Sequence, residues 1–224
     1  MPSMGTLIPG GVIVRQLGNI PYQSAYDRMR QFTQTRTVQT LDEIWLVEHP
    51  PVFTLGRVAG RNHILDAGQI PIVETDRGGE VTYHGPGQAV LYLMFDLHRR
   101  FKRLWIHDFV FRLEAAVLQV LAQHQLQGER RAGAPGIYMP VHQGAKIAAL
   151  GLKVNHRGHS YHGLALNVDM DIAPFSQIDP CGYPGLAVTD MKTLGVSCQV
   201  TDIQLELVKA LAANIGFTVK EALP

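Results

Sequence analysis

The longest apolar run in this sequence, Ala89-Val90-Leu91-Tyr92-Leu93-Met94-Phe95, limits the fold more than any other feature. Crossing a bilayer takes about 20 apolar residues, so this run is far too short for a membrane helix. It reads as a strand, and a strand needs partners beside it and a layer to cover it. Further strand-like runs lie at Val12 to Leu17, Glu43 to Glu48, Gln88 to Asp96, Lys146 to Val154 and Ser160 to Val168.

Helical periodicity appears three times. Tyr22, Ala25, Tyr26, Met29 and Phe32 follow Pro21 and predict an amphipathic helix over 22–36 whose apolar face packs on a sheet. Phe109, Leu113, Ala116, Val117, Val120 and Leu121 form one stripe of a second helix, about Ile106 to Gln125. The third is expected to begin at Thr201, capped by that residue with Gln204 three positions on, and to stop at Gly216. The first helix separates two strands, but the strand-rich middle shows no regular strand and helix alternation. The expected fold is therefore α+β: a single domain over 1–224, with a mixed β-sheet and helices packed on it.

A hydrophobic fraction of 46% in 224 residues suits one sizeable core. Lys plus Arg number 20 against 19 for Asp plus Glu, so the overall charge gives no reason to expect nucleic acid or a membrane surface as partner. Residues 1–12 lack the basic start and long apolar stretch of a secretory signal, and the only cysteines are Cys181 and Cys198. A cytoplasmic, reduced protein is expected, with each cysteine either a core residue or chemistry.

Three segments could carry chemistry. Arg77-Gly78-Gly79-Glu80-Val81-Thr82-Tyr83-His84-Gly85-Pro86-Gly87-Gln88 concentrates glycine as a chain does where backbone approaches a ligand closely, although an ordinary turn between strands reads the same way. It lacks the spacing of a phosphate-binding loop. In Gly144-Ala145-Lys146-Ile147-Ala148-Ala149-Leu150-Gly151-Leu152 a single lysine opens an apolar strand, so Lys146 needs either an exit to solvent or an acidic neighbour. In Pro180-Cys181-Gly182-Tyr183-Pro184-Gly185 a thiol sits in a tight turn, where the following amides could donate to an oxyanion. Most lone cysteines are inert, and Cys198, outside any such turn, is assigned to packing. The ten histidines form no metal-binding spacing: His159 and His162, three apart on a strand, are expected on opposite faces. No metal is expected. His84 and His162, each near glycine, remain candidate pocket residues.

Together these segments resemble the lipoyl(octanoyl) transferase family, relatives of the biotin and lipoate protein ligases. The resemblance runs from Trp45-Leu46-Val47-Glu48-His49-Pro50-Pro51-Val52-Phe53-Thr54-Leu55-Gly56-Arg57, through the Arg77 loop and the Lys146 strand, to Tyr161-His162-Gly163-Leu164-Ala165-Leu166-Asn167-Val168 and Pro180-Cys181-Gly182-Tyr183. It implies a biotin/lipoate protein ligase-like catalytic fold and transfer of an octanoyl group from octanoyl-acyl carrier protein to a lysine of lipoyl domains. The acceptors expected are those of 2-oxoacid dehydrogenases and the glycine cleavage H protein; a monomer and no cofactor are expected. The resemblance makes Cys181 the acyl-thioester nucleophile and Lys146 its proton partner. Arg77, Gly78, Gly79, Glu80, Val81, Thr82, Tyr83, His84, Ala149, Leu150, Gly151, Gly163, Leu164 and Ala165 would line the acyl pocket. Asp179 stands where the family usually has asparagine, and His159 and Tyr161 replace more common residues; a carboxylate at 179 would oppose thiolate formation if it faced the site.

Two other readings differ in what they need. An ATP-dependent lipoate or biotin protein ligase would bind nucleotide and have no use for Cys181; a non-catalytic lipoyl-domain or carrier binding protein would need neither Cys181 nor Lys146. The cluster Arg99-Arg100-Phe101-Lys102-Arg103 is the strongest basic stretch, read either as a dock for an acidic carrier protein or as a solvated loop.

Overall fold

The computed structural model describes residues 10–101 and 106–221. Its centre is an eight-stranded mixed sheet. Strand β1 (Gly11–Asn19) leads through helix α1 (Tyr22–Thr35) to β2 (Asp42–Glu48). Strands β3 (Val52–Leu55), β4 (Ile72–Glu74) and β5 (Val81–His84) then form a small separate sheet in the order β4-β3-β5. The chain returns as β6 (Gln88–Met94), the short helix α2 (Leu97–Arg100) and α3 (Ile106–Gln123), then runs through β7 (Glu129–Arg131), β8 (Ala134–Met139), β9 (Ala145–Val154) and β10 (Ser160–Asn167). Helix α4 (Val200–Ile215) and strand β11 (Thr218–Glu221) follow. The large sheet has the order β11-β1-β2-β6-β10-β9-β8-β7, with β1 parallel to β2 and β11 and the remaining pairs antiparallel.

Alternation along β6 explains the layering. Leu91 and Leu93 enter the core built with α3 and α4, whereas Val90, Tyr92 and Met94 point to the opposite face, covered by Tyr22, Ala25 and Met29 of α1. All of β6 is buried, which makes it a continuous apolar run, and each large apolar side chain taken from water contributes about 1.5–3 kcal/mol. A third cluster, Phe53, Leu55, Val81, Tyr83 and Phe175 among others, belongs to the small sheet. Among the described residues no helix is long and apolar enough to cross a membrane.

One local expectation is corrected, and another is met only in part by the described residues. Helix α4 begins one residue before Thr201, at Val200; Gln199 occupies the N-cap without a side-chain bond, and Gln204 instead donates its amide to Val47 O in the sheet. In the described part of the basic stretch one arginine is buried. Arg99 and Arg100, together with Arg36, converge on the Asp42 carboxylate, and Arg100 is only 4% exposed. Burial pushes the Asp42 carboxyl up, but the arginines outweigh it and the net shift is down. Lys102 and Arg103 lie outside the described residues.

Candidate active site

Cys181 sits in a single 3-10 turn, Pro180–Gly182, with φ 57° and ψ 24°, the left-handed region. That conformation costs a non-glycine residue roughly 1–2 kcal/mol, so its surroundings must hold it. Gly182 N donates to Asp179 O at 2.9 Å and Tyr183 N to Pro180 O at 3.1 Å. These bonds correct the oxyanion expectation: both amides are committed within the turn. Upstream, Asp179 N donates to His63 O, and the Asp179 carboxylate lies 3.4 Å from His63 Nδ1. The unusual carboxylate is thus engaged by the loop that follows β3.

Lys146, at the start of β9, is 35 residues from Cys181 in sequence, yet its Nζ donates to Cys181 Sγ at 2.9 Å. The segment after the turn brings them together, because Lys146 N donates to Ala187 O at 2.8 Å and Thr189 N to Lys146 O at 3.0 Å. Lys146 is 5% exposed; its ammonium also donates to Pro135 O at 3.2 Å and sits 5.0 Å from the centre of the Tyr138 ring. Burial pulls the ammonium pKa down, but Cys181 and Tyr138 outweigh it and the net shift is up.

Two cavities meet at Cys181. A narrow one of ≈ 50 Å³ and a wider one of ≈ 420 Å³ share Gly79, Glu80, Leu150, Gly151 and Cys181 as lining. Lys146 and Tyr183 face the wide cavity; Tyr22, His84, Tyr92 and His162 face the narrow one, away from the shared wall. Gly163 lines the narrow cavity where β10 crosses β6, and a Cβ there would lie 1.9 Å from Leu91 O, so no larger residue fits.

Aromatic rings that stay neutral line part of the narrow cavity. Tyr22 stacks on His84 with centroids 5.5 Å apart and planes at 18°, and His49 packs behind both. Burial lowers the His84 pKa to about 3 and that of His49 to about 4, and raises Tyr22 to about 12. The neutral His49 ring fits a donor at Nδ1 to Ile20 O and an acceptor at Nε2 from the Tyr92 hydroxyl, both at 2.7 Å. Asp76 closes the network, accepting from the Tyr26 and Tyr161 hydroxyls and from His162 Nε2. Burial raises the Asp76 carboxyl pKa, but these donors prevail and hold it well below the usual carboxylate range.

Of the residues expected to line the acyl pocket, Arg77, Gly79, Glu80, Val81, Thr82, His84, Ala149, Leu150, Gly151, Gly163, Leu164 and Ala165 border the narrow cavity together with Cys181. Two do not. Tyr83 points to the other face of β5, between Phe53 and Phe175, because successive strand residues alternate. Gly78, whose amide donates to Leu152 O, borders the wide cavity. Arg77 is buried and ties the loop to Thr54 of β3 through its Nε and Nη2. His159 precedes β10 and His162 has φ 58°, so simple strand alternation does not relate them. Tyr22, Val90 and Tyr92 also line the narrow cavity, although the sequence places them only on an amphipathic helix and an apolar strand; their one signal is a hydroxyl on two of the three apolar positions.

The chain matches the family model of the lipoyl protein ligase A/B catalytic domain over residues 21–212. A curated octanoyltransferase of Herminiimonas arsenicoxydans is 53% identical over 209 residues, covering 91% of this chain and 96% of the relative. One of Janthinobacterium sp. is 50% identical over 214 residues, covering 93% and 99%. Among solved structures, a bi-partite lipoate protein ligase of Thermoplasma acidophilum superposes with a TM-score of 0.74 at 14% identity, covering 96% of this chain and 87% of that one. The biotin protein ligase of Aquifex aeolicus does so at 0.56 and 12%, covering 92% and 70%. At these identities the structures show a shared fold.

Proposed function

This chain belongs to the lipoyl protein ligase A/B catalytic domain family, and from that premise we propose that it is an octanoyltransferase acting through a Cys181 thioester. The observation that carries the reading is the Lys146 Nζ to Cys181 Sγ contact of 2.9 Å at the junction of two cavities. In water a lysine holds its proton in preference to a cysteine by about 2.6 kcal/mol, and the 2.9 Å contact puts the Lys146 ammonium where it can stabilise a thiolate. The thiolate attacks the thioester carbonyl of octanoyl-acyl carrier protein; the carbon–sulfur bond to the carrier breaks, and the leaving thiolate takes its proton from Lys146.

Neutral Lys146 then accepts a proton from the incoming lysine ammonium of a lipoyl domain. The free amine attacks the Cys181 thioester: a carbon–nitrogen bond forms, the carbon–sulfur bond to Cys181 breaks, the second proton of the attacking nitrogen passes to solvent, and the thiolate is regenerated beside a protonated Lys146. Thioester is exchanged for thioester and then for amide, so the transfer runs downhill without nucleotide. The narrow cavity, lined by Val81, Val90, Leu164 and Ala165, is assigned to the acyl chain, which must widen it beyond ≈ 50 Å³ to enter, and the wide one to the carrier thiol or the acceptor amine. Acceptor domains of 2-oxoacid dehydrogenases and of the glycine cleavage H protein, a monomeric state and a cytoplasmic setting complete the proposal.

Incubation with octanoyl-acyl carrier protein and no ATP, followed by intact-mass analysis, tests it. One octanoyl group should appear on Cys181 and not on Cys198, be removed by hydroxylamine, and pass to a lipoyl-domain lysine. Cys181→Ala should bind the carrier but neither gain mass nor turn over. ATP-independent transfer at a normal rate by Cys181→Ala would sink the mechanism; activity only with ATP would favour a ligase, and carrier binding without any adduct a binding protein.

A further inference from the structure

Lys146 has a second hold besides Cys181, and behind it stands a residue that borders neither cavity and does not touch the lysine. Its Nζ donates to Pro135 O at 3.2 Å, and the next amide, Gly136 N, donates to Glu114 Oε1 at 3.0 Å. Glu114 belongs to α3, is 7% exposed, and uses its second oxygen to accept from Arg130 Nε at 3.1 Å. A carboxylate beside the apolar stripe of a core-facing helix loses hydration, which its two partners must replace. Gly136 has φ 128°, and a Cβ there would lie 2.6 Å from Ala148 O and 3.2 Å from Lys146 Cε and Nζ. The backbone at this point therefore has no side chain of its own to fix it, and Glu114 supplies the anchor.

We propose that Glu114 is a positioning residue: by holding the Gly136 amide it aims the Pro135 carbonyl at the Lys146 ammonium and keeps Nζ against Cys181. This inference rests on the role proposed above for the Lys146 and Cys181 pair. A lysine has four side-chain torsions, and a misplacement of about 1 Å at a reacting group lowers rates by about 100-fold. The two donors to Glu114 separate its functions, since Arg130 faces the outer oxygen and Gly136 the inner one.

The test compares Glu114→Asp, which keeps the charge but withdraws it by one methylene, with Glu114→Gln, which keeps an acceptor at full reach. Octanoyl transfer, the pH profile of Cys181 alkylation followed by mass, and the thermal midpoint are measured for both. Glu114→Asp is expected to lose about 10- to 100-fold in kcat with KM for both substrates little changed, and to shift the thiol titration toward that of Lys146→Met. Glu114→Gln is expected to restore most of the rate and the wild-type titration. Wild-type kcat and titration in Glu114→Asp would overturn the proposal, as would a titration in Glu114→Gln displaced as far as that of Lys146→Met. Should Glu114→Asp not fold, the Glu114→Gln titration decides alone. Absence of an octanoyl adduct on the wild-type chain would defeat the proposed function instead, while the alkylation profiles would still report on the positioning.

Discussion

Lys146 Nζ and Cys181 Sγ lie 2.9 Å apart because residues 187–189 pair with the start of β9 and bring the cysteine turn back over the lysine. Lys146→Met keeps the volume and removes the charge. The fold should survive, kcat should fall by about 100- to 10,000-fold, and the pH profile of Cys181 alkylation should move. Alkylation rates across pH, together with turnover, check this; an unmoved titration with near-normal turnover would remove Lys146 from the mechanism.

Acyl selectivity should rise gently with length and then stop abruptly. Each buried methylene adds about 0.8 kcal/mol, roughly fourfold in affinity, until the chain meets the Tyr22 and His84 stack. Tyr22→Ala should move the optimum toward longer chains. Competition among carriers bearing six to twelve carbons is the measurement, and an unchanged profile in the variant would mean that the wall lies elsewhere.

The buried Asp42 gathers three arginines, two of them buried with it. Asp42→Asn leaves those charges without their partner and should lower stability by about 3–5 kcal/mol, with kcat of the folded fraction unchanged. The folded-state pKa of Asp42 is depressed, so its contribution is present above the unfolded carboxylate value and is lost as pH falls through the folded one. Urea unfolding of both proteins from pH 7 downward should show the gap between them closing in acid.

His49 and His84, depressed to about 4 and about 3, act in a different window. The unfolded chain takes up protons at these rings from about pH 6.5 downward while the folded chain does not. Stability should therefore be fully present above that value and decline as pH falls toward 4. Replacing His84 with Gln should flatten that slope; an equal slope in the variant would show that other groups set it.

Much of this architecture is legible in the sequence because the long elements carry strong periodicity. Helices α1, α3 and α4 and strands β1, β2, β6, β9 and β10 fall close to the apolar patterns that announce them. Short strands are different: β3 is four residues held between Pro51 and Gly56, and β8 contains Pro135 and Gly136, so turn signals mask both. The arginines near 100 read as surface because their partner, Asp42, is distant in sequence. The aromatic part of the narrow cavity was hidden for the same reason, since Tyr22, His49, His84 and Tyr92 meet only after α1 lies across β2 and β6.

The threshold position of Cys181 also separates two kinds of choice. Under the proposed chemistry the acyl chain occupies one chamber through both half-reactions, while donor thiol and acceptor amine exchange places in the other. Fidelity for the cargo and fidelity for the recipient are then enforced by different walls, apart from the five residues common to both. A lineage, or an engineer, could retune one without disturbing the other, so that altered chain length and altered acceptor preference should combine as independent traits.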